Sequence, residues 1–144
     1  AVYVGGKIFS LRARASNFDK EDLKELCDFA HGLNKKVYVT CNIIPHDEDF
    51  KLLDDYLVYL NEIGVNAIIT SSISVMNKAK KIAPKVEVHV STQTSITNSL
   101  AIDFWESIGA TRTVLAREVS IFEIEKIKKN IEIIDTLIEY EAFE

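Results

Sequence analysis

The hydrophobic pattern along this chain switches repeatedly between two periods. Residues 1–4 (AVYV) form an apolar run closed by Gly5-Gly6 and read as a strand. Over residues 20–33, Leu23, Leu26, Phe29 and Ala30 recur at helical spacing. Asn17 or Asp19 stands ahead as a cap, and Gly32 and Asn34 mark the end, since both tolerate the left-handed conformation. Residues 36–41 (KVYVTC) are a second strand that runs into Asn42-Ile43-Ile44-Pro45-His46. A helix over 47–63 stops at Gly64, residues 66–71 (NAIITS) form a third strand, and a shorter helix over 73–83 is broken by Pro84.

The clearest strand is 86–93, VEVHVSTQ. Val86, Val88 and Val90 point one way, and Glu87, His89, Ser91 and Gln93 point the other. Its place between two helical patterns predicts a central strand, and its polar column a site wall. Ser95 or Thr97 then begins a helix that passes through Phe104-Trp105, expected in the core, to Ile108 and Gly109. Residues 111–116 form a fifth strand that delivers Arg117-Glu118 to a loop. Ser120 with Glu123 makes a capping box for a helix over 121–129. A sixth strand is expected over about 137–143.

Strand and helix thus alternate five times and end on a strand, at spacings that suit βαβ units. The predicted fold class is α/β, a partial TIM-like (β/α) barrel with about six parallel strands alternating with five helices. A doubly wound sheet is the alternative, but no GxGxxG follows the first strand. No linker or low-complexity tract divides residues 1–144, which read as a single domain. The missing initiator Met and the abrupt ends suggest a fragment of a larger barrel cut at both ends.

Composition changes this picture little. The chain has 144 residues, 47% hydrophobic and 27% charged, with net charge −5, which suits one globular domain. The charges are interspersed, so no basic stripe marks a dedicated nucleic-acid surface. The two cysteines, Cys27 and Cys41, have no metal-ligand spacing, and their number favours a reduced, cytoplasmic setting. No signal peptide or membrane span is read.

A parallel barrel carries its site at the strand carboxyl ends. Those ends, with the loops on the same side, supply Arg12, Arg14, Asn17, Asn42, His46, His89, Ser91, Gln93, Arg117 and Glu118 as candidate substrate-binding residues. The set is rich in donors and suits an anionic or carboxylate-bearing ligand, because Arg forks bind such groups in a bidentate way. Arg12 and Arg14 also read as solvated loop charges or partners of Glu118, and His89 as an interior histidine bonded to Glu87. Ser91 lacks a nucleophile elbow. Cys41 should face the helices while Tyr38, Thr40 and Asn42 face inward, and His31 should meet the dipole of its own helix. No catalytic residue and no metal ligand is named.

Together AVYVGGKIFSLRARASNF, KVYVTCNIIPHDED, HVSTQTSITN and VLAREVS closely resemble the collagenase-like peptidases of family U32, over essentially the whole chain. The resemblance implies strands two to seven of a TIM-like barrel. Glu141-Ala142-Phe143-Glu144 matches the opening of the family signature, Glu-x-Phe-x-His-Gly, which leads on to a pair of cysteines. It implies a peptidase acting on a peptide substrate, so peptidase is the nominal function. The alternative, also implied, is oxygen-independent hydroxylation of tRNA, rRNA or the quinone ring by an intact protein carrying an iron–sulfur cluster. Prephenate is the implied hydroxyl source for the tRNA reaction. No cofactor is expected within these residues, which are expected to be inactive alone. A third reading is an inactive half-barrel that forms a homodimer through its open strand edges.

Overall fold

The structure, a computed structural model, describes residues 1–10 and 18–131. Five strands alternate with five helices: β1 (Val2–Gly5), α1 (Lys20–Gly32), β2 (Val37–Thr40), α2 (Phe50–Glu62), β3 (Ala67–Thr70), α3 (Ile73–Ile82), β4 (Glu87–Val90), α4 (Ser99–Ser107), β5 (Arg112–Thr113) and α5 (Ile121–Asn130). The strands are hydrogen-bonded in chain order, and the registered pairs β1–β2, β2–β3 and β4–β5 are parallel. A doubly wound sheet reverses its strand order at a switch point. This sheet does not, so the α/β, barrel-like winding expected from the sequence is the one found. The expected sixth strand over 137–143 lies outside the described residues. The chain falls into two compact units, Ala1–Val88 and His89–Glu144.

In Ala1–Val88, α1 begins at Asp19. Its Oδ1 accepts from the Asp22 amide at 3.0 Å, while the Asp19 amide donates to Asp22 Oδ2 at 3.4 Å. This reciprocal pair satisfies two of the free donors at a helix start. The helix ends as Asn34 takes the left-handed conformation, with φ 55°. Leu23, Cys27 and Ala30 are its buried face. The expected core residue Phe29 is 67% exposed, and Leu26 is half-buried. At 3.6 residues per turn, Phe29 stands about 200° round from Cys27, so the buried stripe passes it by.

Helix α2 buries Leu53, Tyr56, Leu57 and Leu60. Tyr56 reaches the end of β1 because Gly6 has no side chain: a Cβ there would stand 2.2 Å from the Tyr56 hydroxyl oxygen. Strand β2 is buried along its whole length, as expected of a parallel strand covered on both faces. Asn66 holds its start, with Oδ1 accepting from the Val37 amide at 2.7 Å and standing 3.0 Å from His31 Nε2. His31, in the last turn of α1, therefore donates to this amide oxygen.

In His89–Glu144 the local elements are shorter than the pattern predicts. The strand expected over 86–93 ends at Val90, because Ser91 starts a 3-10 turn over Thr92–Thr94. Ser91 Oγ accepts from the Gln93 amide at 3.4 Å, and the Ser91 carbonyl accepts from Thr94 Oγ1 at 2.8 Å and the Thr94 amide at 3.1 Å. Such local bonds compete with the ladder and win here. Ser95 has φ 52°, and neither it nor Thr97 caps α4: Asn98 does, its Oδ1 accepting from the Ala101 amide at 3.0 Å. The strand expected over 111–116 is reduced to Arg112–Thr113. Ile102 is the buried residue of α4, and Phe104 is exposed rather than packed. The capping box of α5 forms as expected, with Glu123 Oε2 accepting from the Ser120 amide at 2.8 Å.

Candidate functional site

In a parallel α/β fold the chemistry gathers at strand carboxyl ends and in the loops beyond them. In Ala1–Val88, β2 ends on Thr40, whose hydroxyl is buried. Thr40 Oγ1 donates to the Val4 carbonyl at 3.3 Å and lies 3.0 Å from Ser10 Oγ. Thr40 has one proton and gives it to the carbonyl, so Ser10 is the donor in the second bond. Two strand ends and one loop are tied by this relay.

Asn42, expected to face the site, is half-buried, and its Oδ1 is shielded from solvent with no hydrogen-bond partner among the described residues. A shielded amide oxygen without a partner costs free energy unless a water or ligand atom meets it. Next to it, the Ile43 amide donates to the Phe9 carbonyl at 3.4 Å. Phe9 has φ 62°, strained for a bulky residue, and its ring lies 5.6 Å from that of Tyr56. β3 ends on Thr70, whose Oγ1 accepts from the Ser72 amide at 3.1 Å. Ser72 in turn caps α3 and lies 2.8 Å from Ser74 Oγ.

His46 is exposed, and its amide donates to Asp49 Oδ2 at 2.8 Å, which turns the chain into α2. Arg12, Arg14 and Asn17 lie outside the described residues.

In His89–Glu144, His89 is 2% exposed on β4 and pairs in register with Arg112 of β5. Ser91 is buried, and its hydroxyl is engaged as the turn cap. Gln93 is exposed on the 3-10 turn, so the expected column of Glu87, His89, Ser91 and Gln93 does not continue along one strand face beyond Ser91. Arg117 and Glu118 are exposed at the centre of a turn closed by the Val119 amide donating to the Ala116 carbonyl at 3.2 Å.

The thiols are of another kind. Cys41 is fully buried facing the helix layer, and desolvation pushes its thiol up to about 12. Burial also raises Cys27, with the Asp28 carboxylate adding to the effect. Both are protonated at neutral pH, the opposite of an activated thiolate. Iron–sulfur clusters usually take four thiolates. Two core cysteines do not fit that need, and no group of three His, Cys, Asp or Glu able to hold a metal ion is found among the described residues.

One feature was overlooked in reading the sequence. Thr40, Thr70 and Thr113 each close a strand and are buried, and Ser91 follows β4 in the same way. The recurrence of a hydroxyl after each apolar run (VYVT, AIIT, VHVS) was visible in the sequence. Such a residue satisfies local backbone groups where a ladder stops.

The sequence profile of peptidase family U32 matches residues 1–143. The tRNA hydroxylation protein P1 of Bacillus subtilis (strain 168) is 41% identical over 133 residues, covering 92% of this chain and 32% of that protein. The tRNA hydroxylation protein P of Helicobacter pylori (strain J99) is 42% identical over 130 residues, covering 90% of this chain and 31% of that one. An uncharacterized protease of Methanocaldococcus jannaschii is 36% identical over 143 residues, covering 99% of this chain and 34% of that one. The chain therefore spans about a third of the length of these relatives. The solved structure of the U32 peptidase Mk0906 superposes with a TM-score of 0.73 at 12% identity, over 92% of this chain and 57% of that one. That likeness shows the fold.

Proposed function

Because the chain belongs to peptidase family U32, we propose that it is the barrel part of a protein that hydroxylates tRNA. The observation that carries this reading is the 41% and 42% identity, over nine-tenths of the chain, to two tRNA hydroxylation proteins. Peptide hydrolysis, the nominal function in the sequence reading, has less behind it. It enters through the family name, one relative called an uncharacterized protease and a structure at 12% identity. It also needs an activated nucleophile or a metal-held water, and burial keeps the thiols of Cys27 and Cys41 protonated.

In this proposal the strand-end residues bind and orient an anionic substrate group. Arg117, exposed on its turn, supplies charge, with Arg12 and Arg14 as further cations and Asn17, Gln93 and His46 as polar contacts. Asn42 brings an amide whose oxygen already lacks a partner, while His89, Ser91 and Glu118 shape and position the wall. An iron–sulfur cluster, if the intact protein carries one, takes its ligands from cysteines other than these two. The protein works in the cytoplasm, where tRNA is.

The test compares tRNA nucleosides by mass spectrometry from cells with and without the intact protein. Loss of a nucleoside heavier by one oxygen atom, restored by the wild-type gene and reduced tenfold or more by Arg117→Ala at unchanged protein abundance, is expected. Unchanged nucleosides together with peptide cleavage by the purified protein would overturn the reading.

A further inference from the structure

The exposed large apolar side chains are unevenly placed. In Ala1–Val88, Ile44 stands in the loop after β2 at 80% exposure, Leu52 lies in the first turn of α2, and Ile73 opens α3. In His89–Glu144, Leu100 is the second residue of α4 at 78% exposure, and Ile121 and Phe122 open α5 at 64% and 76%. Scattered apolar residues are normal on a surface. These recur after β2, β3, β4 and β5 alike, each just past a strand carboxyl end. Phe29, Leu33, Val58 and Phe104 lie within or at the far ends of helices and do not share this placement.

The charge beside them has one sign. Exposed Asp47 and Glu48 follow Ile44, and exposed Glu118, Glu123 and Glu125 flank Ile121-Phe122, outnumbering Arg117. A phosphate backbone laid there would meet like charge. A polypeptide carrying apolar side chains with basic flanks would satisfy both features. The chain spans about a third of the curated relatives' length, so most of such a protein lies elsewhere.

We propose that these apolar, acid-flanked helix starts are a docking rim for a polypeptide segment of the intact protein outside these 144 residues, apolar with basic flanks, that lies over the strand carboxyl ends. The inference is independent of what the site transforms.

A benzophenone side chain is placed at position 122, and separately at position 44, in the intact protein freed of RNA by nuclease. After irradiation, cross-linked peptides are identified by mass spectrometry. The expected result is linkage, at monomer mass, to peptides of the same polypeptide outside residues 1–144. Glu125→Lys is expected to lower the yield at position 122 several-fold, and an unchanged yield would overturn the basic-flank assignment. Dimer-mass products, linkage within residues 1–144, capture of solvent alone, or linkage that needs retained RNA would each overturn the proposal. Both positions are exposed, so the fold tolerates the probe.

Discussion

The two compact units repeat one βα plan and execute it differently. In Ala1–Val88 the strands are four residues long, and α2 alone buries Leu53, Tyr56, Leu57 and Leu60. In His89–Glu144, β5 is two residues long, α4 buries Ile102, and Leu100, Phe104, Ile121 and Phe122 are exposed. The difference teaches that similar amphipathic patterns do not imply similar burial. Apolar content is a property of the helix, whereas burial needs a neighbouring surface to receive it.

The largest expected effect separates the units directly. Leu60→Ala should destabilise Ala1–Val88 by about 2–5 kcal/mol, the range for emptying a fully buried leucine site. Phe104→Ala should change stability by no more than about 0.5 kcal/mol, as at an exposed position. Urea denaturation of the intact protein checks both, and equal effects would erase the contrast drawn here.

Next comes Gly6→Ala, which should cost about 1–3 kcal/mol, because the new methyl meets the Tyr56 hydroxyl where that ring has no room to retreat. Gly6→Ala with Tyr56→Phe should recover part of the loss, since Phe lacks the clashing oxygen. No recovery would mean that the glycine serves something other than this close approach.

Ser120→Ala should cost about 0.5–2 kcal/mol, read as faster amide exchange over residues 121–125 with little change over residues 20–24. Uniform acceleration in both helices would mean that the units do not open separately.

The smallest effect is one of pH. Hydrogen bonds, first from the Asp22 amide and then from Lys7, hold the Asp19 carboxyl below its ordinary value, and bonds from Ser120 do the same for Glu123. A depressed carboxylate contributes stability above its unfolded pKa and loses it as pH falls through the folded one. Fraying of α1 and α5 should therefore begin below the ordinary carboxylate range, roughly pH 4. Glu123→Gln should abolish the pH dependence in α5 and leave it in α1, as exchange across pH 2.5 to 6 would show. Persistence in α5 would point to another group.

Much was legible from sequence because it depends on near neighbours. Helices α1, α2, α3 and α5 lie where apolar spacing and turn residues put them. The box at Ser120 and Glu123 is written in four consecutive residues, and the barrel-like α/β plan follows from the regular alternation of elements. The failures share one cause. Ser91 carries the alternation of VEVHVSTQ onward, but its hydroxyl and carbonyl find local partners and end the strand. Phe29 and Phe104 are apolar at helical spacing, yet the direction in which a helix packs is decided by the surface across from it.

The candidate site divides along the same line. Topology alone selected Asn42, His89, Ser91 and Arg117 as strand-end residues. That Asn42 Oδ1 lacks a partner among the described residues, that Gln93 sits on a turn, and that Thr40 joins Ser10 to the Val4 carbonyl emerged only once the strands were laid side by side. The order of strands and helices, and the caps that start several of them, were determined by the sequence itself, through contacts among residues a few positions apart. Which side chains are buried, which polar atoms lack a partner and where each strand stops were decided by the tertiary structure, because each depends on groups tens of residues away.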